Sequence, residues 1–138
     1  MKKQALAVAV ALAISIVAAG ECFARPPVLH ANIPFAFSVG DKWLPAGEYQ
    51  IETVTTGSGT LQLIRRSSGG ANVFLSTIAL EAHNGNSKAE LVFHRYGSEY
   101  FLSRIWNGEG KARQLIESNQ EKEAAQTSSA IEVALSVR

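Results

Sequence analysis

The side chains best equipped for chemistry in this chain gather around one predicted hairpin. His94, Arg95 and Tyr96 precede Gly97-Ser98, and Tyr100, Arg104 and Trp106 follow it. Strand alternation puts Arg95, Tyr100 and Arg104 on one face. Two guanidiniums and a phenol so placed could grip a carboxylate, a phosphate or the edge of a sugar. A plainer reading has Arg95 stacked on Tyr100 as a cross-strand pair, with Arg104 covering Leu91 with its alkyl stem. His94 has the chemistry of a general base. It falls mid-strand on the face of Val92 and Phe101, however, where an imidazole is expected to pack rather than react.

A catalytic triad needs a nucleophile and an orienting carboxylate beside the imidazole. Asp41 is the only aspartate in the chain, and no Gly-x-Ser-x-Gly elbow occurs. No catalytic residue is therefore assigned, and a small hydrolase using His94 with Glu or Tyr partners stands as the alternative. His30, His83 and His94 lie in separate predicted segments without paired spacing, which argues against a zinc site. No cofactor is implied. Trp43, Trp106, Phe35 and Tyr49 are either core or the wall of a ligand pocket. Core is the better reading, because few other large side chains exist to fill the domain. Trp43 stays a candidate ligand contact beside the hairpin residues.

The elements that must position these groups read as strands. Period-two alternation of apolar residues, punctuated by Gly, Asn and Ser, recurs along the chain. A first strand runs through Ile33, Phe35, Phe37 and Val39, with Pro34 confining it to an edge. Gly40-Asp41-Lys42 and Leu44-Pro45-Ala46-Gly47 are turns. Strands follow over 48–54, 61–65 and 72–80, then a turn at His83-Asn84-Gly85-Asn86. The hairpin 89–96/99–106 has a register that opposes Phe93 to Leu102, His94 to Phe101 and Arg95 to Tyr100. Ser118-Asn119-Gln120-Glu121 is a capping box, with Ser118 capping and Glu121 reaching back, so a helix over about 119–126 is predicted. Ile131, Val133, Leu135 and Val137 then share one face, so the tail is either a seventh strand that docks, the favoured reading, or a frayed end. The sum is a mainly-β domain, an antiparallel sandwich or small barrel of six or seven strands with one short C-terminal helix.

Three segments together resemble a family of small exported bacterial proteins: Ile33-Pro34-Phe35; Gly40-Asp41-Lys42 with Leu44-Pro45-Ala46-Gly47-Glu48-Tyr49; and Leu91-Val92-Phe93-His94-Arg95-Tyr96-Gly97 with Tyr100-Phe101-Leu102 and Ile105-Trp106. The resemblance spans roughly residues 32–125. It implies a single exported β-rich domain and carries no catalytic residue onto this chain. Relatives run into the helix through Leu-Pro-x-Ser, where this chain has Leu115-Ile116-Glu117-Ser118.

The N-terminus reads as an address. Lys2 and Lys3 precede a small-and-apolar run, Ala5 to Ala19, which is shorter than the ~20 residues a membrane span needs. Cleavage is expected after Ala24, with Gly20 the weaker alternative, so residues 1–24 are a signal peptide. Residues 25–31 are then a linker, 32–116 the β domain, and 117–138 the helix and tail. The chain's one cysteine, Cys22, leaves with that leader. Glu21 beside it departs from the lipoprotein pattern of a small residue before the cysteine, so no membrane anchor is expected unless Cys22 is lipidated. Thirteen basic and twelve acidic side chains give a formal charge of +1, and the leader holds Lys2, Lys3 and Glu21, so eleven of each remain. Such balance, without a basic stripe, excludes a nucleic-acid binder.

These features lead to an exported, periplasmic or extracellular, non-catalytic domain whose partner is a protein, a glycan or a small molecule. A carrier of an apolar ligand is the further alternative, and it requires a genuine interior cavity.

Overall fold

The computed structural model describes residues 27–57, 59–70, 72–81 and 88–138. The expected signal peptide with Ala24 and Cys22, and the turn holding His83, lie outside the described residues. Within them the chain is mainly β, as its periodicity predicts, with one short helix. Ten strands are present: β1 (Leu29–Ile33), β2 (Phe37–Val39), β3 (Lys42–Leu44), β4 (Gly47–Thr56), β5 (Gly59–Arg66), β6 (Asn72–Glu81), β7 (Ala89–Tyr96), β8 (Glu99–Asn107), β9 (Lys111–Leu115) and β10 (Ile131–Ser136). Helix α1 is Asn119–Thr127.

The strands form one large mixed sheet that is not closed into a barrel. β1, β4 and β5 pair antiparallel in that order, and β5 pairs with the first half of β6. The second half of β6, from Thr77, pairs instead with β9. β6 therefore carries the sheet from one half to the other. β9 continues to β8, β8 to β7, and β7 to β10. A parallel bridge, Ser38 to Phe101, adds β2 and its hairpin partner β3. β1 meets the chain just beyond β10, where His30 N donates to Arg138 O at 2.6 Å and Arg138 N to His30 O at 3.0 Å.

Both halves turn their apolar faces onto one core. Ala31, Ile33, Ile51, Ile64 and Val73 from one side pack with Leu91, Phe93, Leu102, Ile105 and Leu115 from the other. Phe37 sits edge-on to both Tyr49 and Phe93, at 5.2 and 5.5 Å between ring centres, which ties the two sides together. Tyr49 donates its hydroxyl to Pro45 O at 2.5 Å. The Leu44-Pro45-Ala46-Gly47-Glu48-Tyr49 segment is thus a turn locked from below by its own tyrosine. Gly47 has φ +156°, and a Cβ there would meet Arg66 Nε at 3.2 Å, so a larger residue would have to displace the guanidinium slightly.

Several expected boundaries move. The linker assigned to residues 25–31 ends early, because Leu29, Ala31 and Ile33 alternate buried with exposed His30 and Asn32 and form β1. The first predicted strand breaks at Pro34, whose missing N–H ends the ladder, and resumes as β2. Lys42–Leu44, read as part of a turn, is the short strand β3. The predicted helix is present within one residue of its expected end, and the tail docks antiparallel on β7 from Ile131↔Arg95 to Ser136↔Glu90.

Candidate ligand-binding site

The hairpin register is as the sequence implies: Phe93 opposes Leu102, His94 opposes Phe101 and Arg95 opposes Tyr100. Gly97, at φ +62°, supplies the left-handed turn. One step further along, the register slips. Val92 opposes Arg104, not Ser103, so Ser103 is an extra residue and β8 bulges there. The bulge moves Arg104 to the face of Val92 and His94. The expected face of Arg95, Tyr100 and Arg104 does not exist.

Two separate groups result. On the core side, Tyr100 stacks on Phe35, with 3.9 Å between ring centres and 15° between planes, and Phe35 meets Phe93 edge-on at 5.0 Å. Tyr100 is therefore packing, and its stacking partner is a ring instead of Arg95. On the outer side, His94 and Tyr96 meet α1, and Phe101 packs edge-on against Tyr96 at 5.8 Å between ring centres. Ser118 caps that helix by accepting from Glu121 N at 3.2 Å, as predicted, but the Glu121 carboxylate is bonded to His94 and Tyr96 and does not reach back to the cap as the capping box expects. Glu121 is 4% exposed, and its side chain turns toward the sheet. Its Oε1 accepts from His94 Nδ1 at 2.9 Å and from the Tyr96 hydroxyl at 3.2 Å. His94 Nε2 faces Glu132 Oε1 of β10 at 3.8 Å, and Glu132 is ion-paired to Arg104. Burial, then the charge and hydrogen bond of Glu121, then the charge of Glu117, push the Tyr96 hydroxyl above its ordinary pKa of 10.0.

This outer cluster joins β7, β8, β10 and α1 through one imidazole and one buried carboxylate. His94, Glu117 and Glu121 offer donor atoms within 4.8 Å of one another. The sequence reading missed Glu121 as the partner of His94. Its N3 position in the capping box was visible, but nothing local says which strand the helix covers. Trp106 opposes Glu90 and Ala112 at the far end of β8. Trp43 is 67% exposed on β3, so its expected place in the core is wrong. β3 is a three-residue strand that, among the described residues, pairs with β2 at the edge of the sheet.

A cavity of about 320 Å³ lies elsewhere, between the two halves of the sheet. Leu29, Ile51 and Ile105 line its apolar part. Along the inner face of the β4–β5 ladder the pairs run Ile51↔Ile64, then Thr53↔Gln62, then Thr55↔Thr60, so the wall turns from apolar to polar toward its mouth. Gln62 is 2% exposed. Its Nε2 donates to Thr53 Oγ1 at 3.1 Å, and Thr53 Oγ1 lies 3.4 Å from Gln62 Oε1. The opposite wall carries Glu81, Lys111 and Arg113 from β6 and β9. None of the residues named as candidates from sequence lines this space. A second depression of about 410 Å³, lined by His30, Asn32, Glu48 and Arg138 among others, is a polar surface groove at the seam between β1 and the C-terminus.

The fold and cavity define a mainly-β domain with a partly apolar space between its sheet halves. No protein-family model, curated protein or solved structure matches the chain. Among the described residues, no helix is long and apolar enough to cross a membrane.

Proposed function

We propose that this protein is an exported, non-catalytic binding domain that holds a small, largely apolar molecule between the two halves of its sheet. The observation that carries this reading is the cavity itself. At about 320 Å³ it falls in the range of small-molecule sites, and it has their composition: aliphatic walls with a few placed polar groups. Burying an apolar ligand there would remove Leu29, Ile51 and Ile105 from water, at about 25 cal/mol for each Å² covered.

The alternative of a hydrolase built on His94 is less well supported. The partners of His94 are carboxylates on a helix and a strand, an arrangement suited to holding those elements in place. A protein or glycan partner is the second reading, favoured by the exposed indole of Trp43. Export rests on the basic, then apolar, then small-residue pattern of residues 1–24, and on the resemblance to small exported bacterial proteins. Mass spectrometry of the protein from cells tests it: a chain beginning at Arg25 supports export, and an intact Met1 or a lipidated Cys22 contradicts the proposed processing.

Titration with octanol followed by isothermal calorimetry tests the binding reading. Saturable one-to-one binding, abolished by Ala79→Phe at the cavity wall, is the expected result. Binding that survives Ala79→Phe unchanged would place the ligand elsewhere.

A further inference from the structure

We infer that the ligand of this cavity carries a carboxylate, held by Arg113, on a short apolar body; this rests on the cavity reading above. Arg113 is an odd residue to find where it is. On β9 it shares the inner face with Leu115, a core residue, and its cross-strand neighbours are Ala79 on β6 and Ile105 on β8. Neither neighbour can answer a positive charge. Ion pairs join Arg65 with Glu52, His94 with Glu121 and Glu132, and Arg104 with Glu132. None involves Arg113.

The other charged groups on this wall do not supply the missing partner. Lys111 and Glu81 also line the cavity, and they oppose each other directly across the β6–β9 ladder. No ion pair joins them among the described residues, but their charges offset in sum, so with Arg113 this wall carries one positive charge in excess. What is left over is one guanidinium, half-buried, whose planar fork of donors fits a carboxylate better than any other common anion-bearing group.

Across the cavity, Gln62 is almost fully buried and has one protein partner among the described residues, the Thr53 hydroxyl. A primary amide has two N–H donors and a carbonyl with two lone pairs, more than one hydroxyl can satisfy. A buried amide with unused capacity costs stability unless something in the cavity meets it. A carboxylate between Arg113 and Gln62 would accept from both walls, while its alkyl or aryl body rests on Leu29, Ile51 and Ile105. The cavity volume limits that body to a short acyl chain or a single-ring acid.

Calorimetric titration of the purified full chain with octanoate, octanol and octylammonium separates the claims. Octanoate should bind at least tenfold tighter than octanol, and octylammonium weakest. Arg113→Gln should bring octanoate down to the affinity of octanol and leave octanol unchanged. Arg113→Lys, which keeps the charge without the fork, should fall between and guards against a folding defect in Arg113→Gln. Raising the salt concentration should weaken octanoate alone. Equal binding of octanoate and octanol by the unmodified protein would overturn the carboxylate and leave the cavity reading standing. Binding of neither would overturn both.

Discussion

The two faces of the β7–β8–β9 region make opposite use of polar side chains. Under α1, the outer face gathers His94, Tyr96, Glu121, Glu132 and Arg104 into a network in which each group has a partner. Facing the cavity, and among the described residues, Arg113 has no carboxylate partner and Gln62 has Thr53 alone. A satisfied buried network fixes elements together, whereas polar groups left with unused capacity beside empty space are what a ligand can complete. The hairpin richest in reactive residue types is therefore scaffolding, and the plainer wall behind it is the candidate site.

The largest effect should come from breaking the scaffold. Glu121→Ala removes the shared acceptor of His94 and Tyr96 and should destabilise the fold by about 3 kcal/mol in urea unfolding, because both donors are left under the helix without it. Octanol affinity of the folded fraction should not change. Ala79→Phe should do the reverse. Stability should stay within about 1 kcal/mol, since the ring enters existing space, while binding falls at least tenfold. If Glu121→Ala abolished binding without unfolding the chain, the division between the two faces would be lost.

Smaller effects sharpen the contrast. Ser118→Ala should cost about 1 kcal/mol by uncapping α1, measurable by chemical unfolding, again without touching the cavity. Tyr96→Phe addresses pH. A phenol whose folded pKa is raised above 10.0 favours the neutral form in the native state. Its stabilising contribution is full below pH 10.0 and is lost as pH rises through the higher folded value. The unmodified protein should lose stability more steeply than Tyr96→Phe across that alkaline range, and equal slopes would show that Tyr96 does not report the Glu121 network.

Much of the fold was legible in the sequence where one face of a strand is uniformly apolar. The hairpin register, the Ser118 cap and the docked tail all follow from such patterns. β9 was not legible, and the reason is informative. Its inner face reads Lys111, Arg113, Leu115, so the residues that line the cavity destroy the apolar alternation that identifies a strand. The bulge at Ser103 was invisible for a different reason. A single extra residue leaves no local signal and reverses the face of everything beyond it, which is why Arg104 was misplaced. His94 could be read as packed against Phe101, but its carboxylate partner comes from a helix whose docking site depends on tertiary structure.

Methyl NMR of the folded chain during octanoate titration tests the central claim most directly. The account expects saturable shifts at the methyl groups of Leu29, Ile51 and Ile105, which line the cavity, and none at Val92, which is buried on the outer face. Shifts confined to Val92, or no saturable shift at any of the four, would contradict it.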